Sequence, residues 1–179
     1  MDPRVREYAR LLVERSIGAQ PGWQVVVQAQ VWARPLIEEV ERQLAAAGAY
    51  AVPQLLFDTG GAWSRAAPTE LLGVPSPISQ TIQETADAFI AIMAPENTRD
   101  GADLAPEKVS RLAQASKTVR ERTTAMDVPW AVCQYPTPAL AQEAGMSSQE
   151  FENFLYAACL VDWDREAEKM RRSQAQSPE

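Results

Sequence analysis

The chain has 179 residues, 46% of them apolar and 23% charged, with a formal charge of −7 and a pI near 4.8. This composition fits one globular domain with a real core, and its acidic balance lacks the basic stripe that nucleic acid or an anionic membrane surface requires. Histidine is absent altogether, which removes Ser-His and Cys-His catalysis, imidazole acid–base chemistry and the commonest metal ligand.

Asp2 caps and Pro3 opens a first helix with Val5, Tyr8, Ala9 and Leu12 at helical spacing, stopped by Gly18 and Pro21-Gly22. Trp23 to Gln28, with its Val25-Val26-Val27 run, reads as a strand buried on both faces. A helix follows Pro35 with Leu36, Ile37, Val40 and Leu44 as its stripe and Gly48 at its end. Ala51 to Phe57 is a second strand, weakened by Pro53, which completes a right-handed βαβ unit. Asp58 to Gly61 is a turn, and a short helix is expected near Pro68-Thr69-Glu70. Pro75 and Pro77 stiffen the approach to a helical stretch from Ile78 to Ala86. Ala88 to Met93 is the third strand, feeding the polar loop Ala94 to Arg99. A single long helix is expected from Pro106 to about Arg122, with Val109, Leu112, Ala113, Ser116 and Val119 inward.

The stretch Trp130 to Asp164 is the most densely specified. Trp130 to Cys133 is a fourth strand, and Tyr135-Pro136-Thr137-Pro138 ends it because neither proline donates to a ladder. Thr137 is an N-cap with a proline after it, giving a short helix to Ala144 that stops at Gly145. Ser147-Ser148-Gln149-Glu150 is a capping box opening a helix whose inner face is expected to hold Phe151, Phe154, Leu155, Ala158 and Cys159. Strands alternating with helices give an α/β fold, a mostly parallel sheet of about four or more strands with helices on both faces. Residues 1–164 form the domain, and 165–179 read as a helix end and flexible tail or linker. No leader pattern opens the chain and no apolar run approaches the about 18 residues of a membrane span, so a cytoplasmic location is expected.

Open α/β sheets bind ligands at the C-terminal edge of their strands. The candidates there are Asn97, Thr98 and Arg99 on the loop after the third strand, and Tyr135 and Thr137 on the corner after the fourth. Arg99 and Asn97 suit a carboxylate or a peptide group, whereas turn closure and a local ion pair are the bland roles for the same residues. No GxGxxG or GxxxxGK[ST] follows any strand. Asp162, Asp164, Glu166 and Glu168 fit the solvated face of a helix, and Cys133 and Cys159 fit small buried hydrophobes.

At Ala88 to Arg99 (AFIAIMAPENTR) and Gln134 to Asp164 (QYPTPALAQEAGMSSQEFENFLYAACLVDWD) the sequence resembles peptidase family M29, the thermophilic-type metalloaminopeptidases. Tyr8 to Val13, the Gln20-Pro21-Gly22 turn and Ala47-Gly48-Ala49 are similar to the same family's N-terminal segment. The resemblance implies a two-domain, dimeric enzyme that releases N-terminal residues from peptides with two divalent metal ions (Zn, Co or Mg). Those ions are held in a C-terminal domain by glutamates, histidines, a tyrosine and an aspartate. No ligand of that set carries over to a histidine-free chain, so this polypeptide is expected to hold no metal. It is expected to act as a non-catalytic N-terminal domain that walls the active-site chamber. Its implied partners are the catalytic domain, peptide substrate indirectly and a second copy, with no nucleic acid and no membrane. The alternative is a free-standing binding or interaction module that keeps the fold.

Overall fold

Four strands, β1 (Gln24–Gln30), β2 (Tyr50–Leu56), β3 (Ala88–Met93) and β4 (Trp130–Gln134), form an all-parallel sheet in the order β2-β1-β3-β4. This is a computed structural model, and it describes residues 2–57 and 62–176. In register, Val25 lies between Ala51 and Ala88, and Ile90 pairs with Ala131. The run Val25-Val26-Val27 is buried throughout, as a central parallel strand covered on both faces requires. Pro53 lies on β2, at an edge of the sheet, where a missing N–H is tolerated. The turn expected at 58–61 lies outside the described residues.

Helix α1 (Pro3–Arg10) starts at Asp2, whose carboxylate accepts from the Arg4 N–H at 2.9 Å. It does not stop there but widens into a π-helical stretch, Leu11–Ser16, that ends at Ile17 and Gly18. A 3-10 turn, Val31–Ala33, leads into α2 (Arg34–Ala46), which buries Leu36, Ile37, Val40 and Leu44. Each such side chain fully buried stabilises by about 1.5–3 kcal/mol. Gly48 adopts φ +74° after α2, with Pro21 packed 3.4 Å from where a Cβ would stand; both features favour glycine there.

The crossover from β2 to β3 carries three short helices, α3 (Ala62–Ala66), α4 (Thr69–Leu72) and α5 (Pro77–Thr85). The long helix expected from Pro106 is two helices, α6 (Pro106–Ala115) and α7 (Lys117–Thr124), broken at Ser116. At Ser116 the backbone leaves helical geometry (φ −88°, ψ 8°), and the Arg120 guanidinium takes the Ala113 carbonyl at 2.7 Å. Among the described residues neither helix buries one fully, and Val109, Ala113 and Ser116 are exposed, so the expected inward stripe is only partly inward.

After β4 come α8 (Pro138–Glu143), α9 (Ser148–Cys159) and α10 (Trp163–Gln176). The capping box forms as read: Ser147 Oγ accepts from the Glu150 N–H at 3.3 Å and Glu150 accepts from the Ser147 N–H at 2.9 Å. The buried face of α9 is Phe151, Leu155 and Tyr156, while Phe154 and Ala158 point to solvent. The reason lies on α1. Tyr156 meets Tyr8 edge-on at 5.9 Å, and the Arg4 guanidinium covers the Tyr156 ring at 4.7 Å, so an aromatic clasp rotates the helix toward its polar-looking side.

One face of the sheet, carrying Val25, Val27, Ala29, Ala88, Ile90, Ile92 and Cys133, packs into a single cluster with α1, α2 and α9. The opposite face, carrying Val26, Gln28, Phe89, Ala91, Trp130 and Val132, is roofed by α5 and α7. Among the described residues no helix is long and apolar enough to cross a membrane.

Candidate functional site

Because all four strands run the same way, Gln30, Leu56, Met93 and Gln134 end at one edge. Between β1 and β3 the chain crosses from one side of the sheet order to the other, which opens a crevice. Gln30 bridges that crevice: its Oε1 accepts from the Ala94 N–H at 2.6 Å. The loop that leaves Ala94 is then turned by Asn97, whose Oδ1 accepts from the Arg99 N–H at 3.0 Å, a side-chain turn of the Asx type.

The loop is held against α8. Thr98 donates its hydroxyl to Glu143 Oε1 at 2.7 Å, and the Arg99 Nε stands 3.9 Å from the same oxygen. A groove of about 600 Å³ lies between loop and helix, walled by Asn97, Thr98, Arg99, Pro138, Gln142 and Glu143, with Glu96 at its border. Glu96 also borders a second hollow of about 480 Å³, walled by Gln30, Val31, Trp32, Leu56 and Phe57. Phe57 is 78% exposed and Trp32 49%, so the edge offers an apolar shelf beside a polar groove.

Of the five residues expected at the site, the structure brings Asn97, Thr98 and Arg99 to the groove. Tyr135 and Thr137 do not line it. Thr137 is 2% exposed and spends its hydroxyl accepting from the Leu140 N–H at 3.2 Å, which starts α8 and fixes its direction. The Tyr135 N–H continues the ladder to the Met93 carbonyl at 2.9 Å. Its ring packs against the core, and burial, with the Glu152 and Asp2 carboxylates behind it, pushes its phenol above the usual range. These two residues place the wall of the groove and Arg99 with its neighbours forms the surface. Sequence reading passed over Gln142 and Glu143. Their signal was the polar face of a short helix whose other side buries Ala141.

Arg99 is 85% exposed at its side chain and held only at 3.9 Å by Glu143, so its guanidinium remains able to take a carboxylate or a peptide carbonyl. The groove contains a cation, two carboxylates, amides and a hydroxyl. Its one hydroxyl, that of Thr98, is taken up by the hydrogen bond to Glu143.

The sequence profile of the family described as thermophilic metalloprotease (M29) matches residues 1–177. The chain belongs to the M29 family. No curated protein sequence gives a match. Among solved structures, wild-type AmpT from Thermus thermophilus superposes with a TM-score of 0.62 at 18% identity, over 88% of this chain and 42% of that one. This M29 chain therefore spans less than half the length of that relative, and the likeness to AmpT is one of fold. The A domain of a carboxylic acid reductase from Segniliparus rugosus aligns at a TM-score of 0.32 and 14% identity, over 73% of this chain and 20% of that one.

A metalloprotease family raises the question of where a metal would sit. Among the described residues no three or more carboxylates or cysteines converge in a way that holds a metal ion, and the sequence supplies no histidine. Glu143, the carboxylate at the centre of the groove wall, already accepts from Thr98. Among the described residues, the donor set of this M29 chain does not fit a two-ion centre.

Proposed function

We propose that this chain serves as the non-catalytic, N-terminal-type domain of a metal-dependent aminopeptidase, and that its C-terminal sheet edge forms part of the wall that peptides pass on the way to the metals. The observation that carries the reading is the groove between the Ala94 to Arg99 loop and α8, with Arg99 exposed at its side. Two stiff elements set this wall. The Thr137 cap and the prolines on either side of it fix α8, and the Asn97 turn fixes the loop. A rigid wall carrying one available guanidinium restricts and orients a peptide without touching the bond that breaks. Family membership supports a catalytic metal-binding domain as the partner, and the resemblance adds a dimer in the cytoplasm.

The test has two arms. The purified 179-residue chain, supplied with Zn²⁺ or Co²⁺, is expected to release no chromophore from aminoacyl p-nitroanilides. Chelator-sensitive turnover by this chain alone would overturn the reading. In a polypeptide that joins the chain to an M29 metal-binding domain, Arg99→Ala is expected to raise KM for tetrapeptides several-fold while kcat for the p-nitroanilide stays unchanged. Unchanged peptide kinetics would remove Arg99 from the wall.

A further inference from the structure

A hollow of about 300 Å³ lies between the sheet and the helices α5 and α7, on the face that does not pack against α1, α2 and α9. Strand register makes its floor. Val26, Phe89 and Trp130 stand side by side in one row, and Gln28, Ala91 and Val132 in the next row along the same face. Bulk in the first row and a single methyl group at the centre of the second leave a depression under Ile82 and Gln83 of α5 and Val119 of α7. Ser116, at the break between α6 and α7, also lines it, so the roof is not one continuous helix.

The polar side chains around the hollow are mostly spent. Thr123 donates its hydroxyl to the Val119 carbonyl at 2.9 Å, and Trp130 Nε1 donates to the Thr123 carbonyl at 3.1 Å. Arg120 gives one guanidinium nitrogen to the Ala113 carbonyl at 2.7 Å, and Gln28 and Gln54 stand exposed, where water serves them. Gln83 Oε1 differs: it is buried, and no described residue donates to it. A buried acceptor without a donor is costly. An ordered water needs about two to four polar partners, more than this one carbonyl offers, whereas an apolar molecule with one donor needs no other partner.

We infer that the hollow is a binding site for a small uncharged aromatic molecule with one N–H donor, which Gln83 Oε1 orients by accepting its hydrogen bond. Size supports two fused rings: an apolar cavity of about 150 Å³ holds benzene, and this one has about twice that volume. Phe89 and Trp130 bring two rings to the wall, which favours edge and offset contacts with a flat ligand. Charge is disfavoured. Among the described residues no carboxylate lines the hollow to meet an ammonium, and Arg120 is exposed, so an anionic group loses hydration by entering. The site shares no wall residue with the groove at Arg99, so it stands or falls independently of the peptidase reading.

The experiment titrates the full chain calorimetrically with indole, 3-methylindole and 1-methylindole; the last two are isomers, and 1-methylindole lacks the donor. Indole and 3-methylindole should bind one-to-one with Kd below about 1 mM, and 1-methylindole at least about fivefold more weakly. Gln83→Met keeps the length of the side chain but removes the acceptor, and it should bind all three alike. Ala91→Leu fills the depression and should weaken all three at least about tenfold while circular dichroism reports a folded chain. Should Ala91→Leu not fold, the comparison of Gln83→Met with the unsubstituted chain decides alone. The proposal is overturned by absence of saturable indole binding, by 1-methylindole binding as tightly as its isomer, by a donor preference that survives Gln83→Met, or by wild-type affinity in folded Ala91→Leu.

Discussion

The two faces of the sheet are packed to different standards. Toward α1, α2 and α9, every sheet position from β1 and β3 is an aliphatic residue at or near zero exposure, from Val25 and Val27 to Ile90 and Ile92. Toward α5 and α7, a hollow of about 300 Å³ remains between sheet and helices, floored by Gln28, Phe89, Ala91 and Val132. Val132 is 55% exposed, and Gln83 Oε1 is buried there without a hydrogen-bond partner among the described residues. The contrast shows where this fold keeps its stability. One face supplies the transfer free energy, and the other is spanned by short helices held through polar contacts. Lys108 donates to the Arg65 and Ala67 carbonyls at 2.6 and 3.0 Å, and Arg122 bonds the Gln83 and Ala86 carbonyls.

The largest expected effect comes from emptying the tight face. Leu36→Ala should cost about 2–5 kcal/mol in urea unfolding, whereas Val132→Ala should cost less than about 1 kcal/mol. Equal losses would break the comparison. Filling should reverse the order: Ala29→Leu overpacks the tight face and costs about 1–3 kcal/mol, while Ala91→Leu has the hollow to enter and should be neutral or stabilising. A crystal or NMR view of Ala91→Leu with the leucine turned out of the hollow would count against it.

A smaller effect concerns Glu39, the one buried carboxylate among the described residues. Glu39 accepts from Arg42 at 2.7 Å and Gln43 at 3.1 Å, with Arg6 at 3.6 Å. Burial alone would raise its carboxyl, but the Arg42 and Gln43 hydrogen bonds and the Arg42 and Arg6 charges hold it below the usual range. A depressed carboxylate contributes stability above its unfolded pKa, about 4.3. That contribution is lost as pH falls from there through the folded value. Glu39→Gln should therefore cost about 1–2 kcal/mol at pH 7 and progressively less below pH of about 4, measured by urea unfolding across pH. A pH-independent difference would show that packing, not charge, is what the substitution removes. The smallest effect is local: Ser147→Ala should cost about 1 kcal/mol by loss of the capping box. An unchanged amide exchange in the first turn of α9 would contradict the box.

Legibility followed the same division. Strands β1 and β3, the stripe of α2, the Thr137 cap and the Ser147–Glu150 box were readable because each depends on a few adjacent residues whose preferences agree. The break at Ser116 was not readable. The run KVSRLAQASKTVRERTT keeps helical spacing, and the interruption is answered by Arg120 on the Ala113 carbonyl. The inner face of α9 was misread at Phe154 because apolarity alone favoured phenylalanine over Tyr156, whose partners Tyr8 and Arg4 lie on α1. At the site, Asn97, Thr98 and Arg99 were visible as a polar loop after a strand, but Glu143 owes its place to the fold back of α8 onto that loop.

Local chain chemistry by itself determined the alternation of strands and helices, their caps and stops, the family to which the chain belongs and the want of an imidazole ligand. Tertiary structure alone decided which side of the sheet is tightly packed, which face of α9 turns inward, and which residues from distant positions share a groove. The reason is range. Dihedral preference and capping act over a few residues, whereas burial, ion pairing and aromatic contact depend on where crossovers bring the chain back to itself.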